Sequence, residues 1–70
     1  MIEVFKTNVK SDKQSLTLLS KFQKYFPELK INFDLDDCDK ILRVEGQSVP
    51  FTKIINSLFA EGYFCEILEE

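Results

Sequence analysis

The sequence predicts an α+β domain, and three observations carry that prediction. Leu29, Ile31, Phe33 and Leu35 alternate with Lys30, Asn32, Asp34 and Asp36, the period-two pattern of a strand with one buried face. Two stretches, around 12–26 and 51–58, repeat their apolar residues at helical spacing instead. The other apolar segments are short, rich in β-branched or aromatic residues and bounded by turn residues. Along the chain this gives strand, helix, strand, strand, helix, strand.

Residues 2–9 (IEVFKTNV) make the first expected strand, with Phe5 and Val9 facing the helices. Ser11 or Asp12 then caps a helix that runs to Phe26, where Pro27 discourages continuation. At 100° per residue Leu16, Leu19, Phe22 and Phe26 share one face, flanked by Leu18 and Tyr25, and that face is expected to be buried. After the alternating strand, which turns Phe33 to the core, residues 36–39 (DDCD) make a turn. Lys40 to Glu45 returns as a strand with Leu42 and Val44 inward. Gly46 ends it, and Ser48 with Pro50 opens a second helix whose buried stripe is Phe51, Ile54, Ile55 and Leu58. Gly62 suits the stop of that helix, and YFCEIL closes the chain as a short strand with Tyr63, Cys65 and Ile67 on one face.

This order is the split β-α-β, or ferredoxin-like, arrangement: a four-stranded antiparallel sheet with two helices on one face and the other face open. The first strand-to-helix loop, the DDCD hairpin and the turn around Gly62 are expected to share one end of the sheet. On the uncovered side Ile2, Val4, Ile41, Phe64 and Leu68 form an expected apolar patch, a candidate seam for a partner or a second copy.

Seventy residues make one domain, spanning 1–70. A domain of this size buries only about 60% of the surface its unfolded chain exposes, so its stability is modest. The longest apolar runs are a few residues, too short to span a membrane, and the N-terminus lacks a basic segment followed by an apolar one. A cytoplasmic location is expected. Cys38 and Cys65 follow no zinc or redox spacing and are expected as separate, reduced thiols. The absence of His removes the commonest general base and the commonest metal ligand together.

Residues 1–30 carry six Lys against Glu3, Asp12 and Glu28, a sum of +3, whereas residues 31–70 carry three basic groups against nine acids, a sum of −6. An acidic whole without an Arg cluster argues against nucleic acid, whose phosphates need several cations on one face. The polarity itself can orient a protein partner.

Several segments together resemble the heavy-metal-associated domain, the family of copper chaperones and of the N-terminal domains of copper-transporting ATPases. FKTNVKSDKQ stands where that family has a strand followed by a Cys-x-x-Cys loop. FDLDDCDKILRVEG is similar to its second hairpin, and PFTKIINSLFAEGYFCEIL to its second helix and last strand, Gly62-Tyr63 included. The resemblance implies a soft-metal scaffold, but it departs at the decisive place. Ser11 and Gln14 occupy the family's two cysteine positions, and neither a hydroxyl nor an amide replaces a thiolate for Cu(I). The expectation is a degenerate member that has lost soft-metal binding, holds no cofactor and docks a protein. Tyr63, at the aromatic beside the family's metal loop, is left with a packing role.

The docking surface that the resemblance implies is the first helix, where Lys13, Lys21 and Lys24 project together on the side opposite the expected apolar face, with Thr17 and Ser20 between them. An acidic protein is the partner they suit. The alternative is a metal carrier in which Cys38, in the hairpin near the Ser11–Gln14 loop, supplies one ligand and a partner or second copy supplies the rest. Asp34, Asp36, Asp37 and Asp39 fail the calcium-loop pattern, since the sixth position from Asp34 is Asp39 where Gly is needed. No enzyme is expected. Nucleophile–His pairs are impossible, and the SDKQ loop lacks the Gly and Arg with which acylphosphatases, of the same element order, hold phosphate.

Overall fold

The structure, a computed structural model, describes residues 1–68. Its elements are β1 (Ile2–Thr7), α1 (Asp12–Tyr25), β2 (Lys30–Asp34), β3 (Ile41–Glu45), α2 (Phe51–Ala60) and β4 (Cys65–Ile67), the predicted order. The strands form one sheet in the order β2-β3-β1-β4, antiparallel throughout. β3 separates β1 from β2 and β1 separates β3 from β4, so one strand splits each β-α-β unit, as in ferredoxin-like folds.

Phe5 stands opposite Leu42 and Ile67, and Leu42 opposite Phe33, so all four side chains share one face. Both helices cover that face, α1 packing on β2 and α2 on β4. The core joins Phe5, Leu42 and Val44 of the sheet to Leu18 and Phe22 of α1 and Ile54 and Leu58 of α2. The Phe5 and Phe51 rings lie 6.2 Å apart in a tilted contact. Phe33 is only half-buried, because β2 is an edge strand. No helix among the described residues is long and apolar enough to cross a membrane.

α2 ends as the sequence predicts. Gly62 takes φ +91°, open to glycine and strained for other residues, and the Tyr63 and Gly62 N–H groups bond the Leu58 and Phe59 carbonyls at 2.9 and 3.0 Å.

Three details depart from the sequence expectations. β1 stops at Thr7, not Val9: the buried Thr7 hydroxyl accepts from Val9 N–H at 3.2 Å and donates to the Lys40 carbonyl at 2.6 Å, which bends the chain out of the sheet. Val9 still reaches the core, fully buried. β3 begins at Ile41 because Lys40 closes the hairpin with φ +49°, outside the strand region.

The third departure concerns α1. Its buried residues are Ser15, Leu18 and Phe22, and Leu16, expected in the buried stripe, is 66% exposed. At 100° per residue Leu16 lies about 160° from Leu18 and about 120° from Phe22. The helix is rotated so that a serine takes a core position, and the Ser15 hydroxyl is satisfied there by donating to the Asp12 carbonyl at 2.8 Å. Tyr25, expected on the flank of the buried face, is 63% exposed.

Candidate functional site

The three predicted junctions do meet at one end of the sheet. Thr7 N–H donates to the Asp39 carbonyl at 3.1 Å, tying β1 to the hairpin, and Phe64 N–H donates to Asn8 Oδ1 at 2.8 Å, tying it to the turn after α2.

Ser11 and Gln14 lie in this region and form the N-terminal cap of α1. Gln14 N–H donates to Ser11 Oγ at 3.1 Å, while Gln14 Oε1 accepts from Lys10 N–H at 2.9 Å. The exchange is that of a capping box with the return bond displaced one residue upstream. Both side-chain oxygens thus bond backbone donors, and both are hard ligands ill suited to a soft ion. Tyr63 is half-buried against the core.

Cys38 is exposed at the hairpin tip, where its sulfur and one oxygen each of Asp37 and Asp39 lie within 4.8 Å of one another. The carboxylates have other partners. Asp37 Oδ1 accepts from Asp39 N–H at 2.8 Å, and Asp39 Oδ1 lies 3.8 Å from Lys6 Nζ. Cys65 is buried on the covered face, where desolvation, with a smaller contribution from Glu66, pushes its thiol up to about 12. It is a packing residue.

The three α1 lysines do not behave alike. Lys13 and Lys24 are exposed, but Lys21 leans to the far end of α2 and pairs with Glu61, whose hydrogen bond raises its pKa. Its charge is met within the chain, so the cationic groups of this face that form no ion pair among the described residues are Lys13 and Lys24. Between them the outer face presents Leu16, the residue sequence reasoning placed inside. The combination Ser15–Leu18–Phe22 was the signal for the true buried stripe, but a serine at its centre hides it.

The open side of the sheet is less apolar than expected. Ile41 lies there, across from Lys6 and Asp34, yet is only 5% exposed, and Val4 and Leu68 are partly covered. Ile2 and Phe64 are the exposed members. They stand six residues apart along the β1 direction, about 20 Å at strand rise, with Arg43 and Lys6 on the same face.

A cleft of about 450 Å³ opens at the other end of the domain, between the end of α1 and the start of α2. Tyr25, Phe26 and Pro50 supply its apolar walls, and Glu28 and Lys53, of opposite sign, its charges. It therefore favours neither anions nor cations. Comparison with protein-family models, with curated proteins and with solved structures finds no match to this chain.

Proposed function

We propose that this chain is a protein-docking module on a heavy-metal-associated-like scaffold, without a reaction of its own, and that the outer face of α1 binds an acidic surface of a cytoplasmic partner. The observation that carries the reading is Leu16, two-thirds exposed on a helix face that also bears Lys13 and Lys24. An exposed leucine flanked by cations combines an apolar anchor with electrostatic steering, the two ingredients of a specific protein contact. Lys13 and Lys24 are eleven residues apart, about 16 Å along the helix, so they bracket the anchor. Lys21, paired with Glu61, belongs to the intramolecular structure. The engagement of Ser11 and Gln14 in the helix cap supports a scaffold no longer used for soft metal.

The test is capture from native cytosol with three baits: wild type, Leu16→Ala, and Lys13→Glu with Lys24→Glu. A specific partner recovered by wild type at low salt, weakened by added salt and lost from both variants, is expected. Identical proteins on all three baits would overturn the reading. The competing metal-carrier reading draws on the clustering of Cys38 with Asp37 and Asp39. Anaerobic Cu(I) titration against a competing chelator, read by native mass spectrometry, separates the two: one Cu(I) shared by two chains and lost in Cys38→Ser favours the carrier.

A further inference from the structure

β4 is an edge strand of the sheet, bonded to β1 on one side only. Leu68 N–H donates to the Val4 carbonyl at 2.9 Å, and Phe64 N–H points to the same side, onto Asn8. In an antiparallel ladder the inward-facing residues alternate, so Glu66 completes that inward set. Cys65 and Ile67 consequently turn their N–H and C=O groups outward, a row of donors and acceptors ready to bond another strand.

The two sides of this edge differ chemically. Cys65 and Ile67 face the helices, and Ile67 is 40% exposed. Above it runs α2, which packs on β4. Lys53 lines the cleft shared with α1, so the flank of α2 toward α1 is the Lys53 flank. Phe59 lies about 120° and Ile55 about 160° around the helix from Lys53, on the flank over β4. Phe59 is 76% exposed. The helix side of the edge is thus apolar. The open side carries Glu66, with Lys6 across from it on β1 at more than ion-pair distance, and residues 61–70 hold four Glu and no Lys or Arg, of which Glu61 pairs with Lys21.

We infer that the β4 edge accepts an extended basic peptide by strand addition, with the incoming strand alternating apolar and basic residues. Its apolar residues join Ile67 and Phe59 on the helix side, and its basic residues meet Glu66 on the open side. Main-chain bonds to Cys65 and Ile67 give the affinity, and the alternation gives the register. A second copy of this chain is disfavoured as occupant, because the antiparallel register that satisfies both outward residues, Cys65 against Ile67, sets one Glu66 carboxylate against the other. This surface is distinct from the α1 face, and the inference stands apart from the proposed function.

The probe is an acetylated nine-residue peptide alternating lysine with valine, titrated at low salt into ¹⁵N-labelled protein with amide exchange as the readout. The Cys65 and Ile67 amides should gain at least tenfold protection. Ile67→Pro removes an outward donor at a position where an edge strand tolerates proline, and Glu66→Lys reverses the facing charge. Each should weaken binding tenfold or more while β1 and β3 amides keep their protection. A control peptide with glutamate in place of lysine should not bind. Unchanged exchange at Cys65 and Ile67, or equal affinity of the Glu66→Lys variant, would overturn the inference. So would a concentration-dependent dimer of the chain alone that already protects those amides.

Discussion

Ser11–Gln14 and the outer face of α1 adjoin in sequence, yet they use their polar groups in opposite ways. At the loop end several polar side chains already have partners: Ser11 and Gln14 cap the helix, Thr7 bridges to Lys40 and Val9, and Asp37 holds the hairpin. On the helix, Lys13, Leu16 and Lys24 face solvent. The difference teaches where to look for a binding surface in this domain. Ser11 and Gln14 spend their oxygens on the helix cap, whereas the helix beside them turns an apolar and two cationic side chains to solvent.

The largest expected effect separates the two faces of α1. Phe22→Ala should destabilise the fold by about 3–5 kcal/mol, as for a fully buried aromatic, whereas Leu16→Ala should change stability by about 0.5 kcal/mol or less. Urea unfolding of both variants checks this, and a large loss for Leu16→Ala would mean the helix is rotated the other way. Next comes Thr7→Val, which keeps the side-chain shape and strips the hydroxyl from a residue 5% exposed. It leaves the Lys40 carbonyl and the Val9 N–H without their partner and should destabilise by about 1–3 kcal/mol.

Ser11→Ala removes a helix cap and should destabilise by about 1 kcal/mol, while Ser11→Asp, another good cap, should restore most of it. If the Ser11 side chain did not cap the helix, the two variants would melt alike. The effect that concerns the thiols is absent at neutral pH and emerges only in alkali. Burial in the folded chain pushes the Cys65 thiol up to about 12, against an ordinary 9.0 once unfolded. The group therefore contributes its stability in full below about pH 9, and that contribution falls as pH rises toward the folded value, by at most ~1.4 kcal/mol per pH unit. Cys65→Val should flatten this alkaline fall. At pH 8 a thiol reagent should modify one cysteine, Cys38, in the native protein and two after denaturation.

Much of the fold was legible in the sequence because its signals were local. The alternation from Leu29 to Leu35 set the phase of β2, and Gly62 marked the end of α2. The face of α1 was misread because five apolar residues, Leu16, Leu18, Leu19, Phe22 and Phe26, allow two overlapping stripes, and only packing selects the one that includes Ser15. The end of β1 was hidden for a related reason: Thr7 reads as a strand residue, and only its bond to Lys40, distant in sequence, shows that it closes the strand. At the candidate site, Ser11 and Gln14 were found but their capping bonds were not anticipated together. The pairing of Lys21 with Glu61 joins residues 40 apart, a separation no pattern along the chain reports.

The most direct test of the docking reading is calorimetric titration of the partner recovered from cytosol, once identified, with wild type, Leu16→Ala, Lys21→Glu, and Lys13→Glu with Lys24→Glu. The account predicts that Leu16→Ala weakens binding about tenfold, as expected of an anchor residue whose truncation exceeds ~1 kcal/mol. The double charge reversal should weaken binding further and remove most of its salt dependence, whereas Lys21→Glu, whose cation already serves Glu61, should change it least. Equal affinities for wild type and Leu16→Ala, or a larger loss at Lys21 than at Lys13 and Lys24, would contradict it.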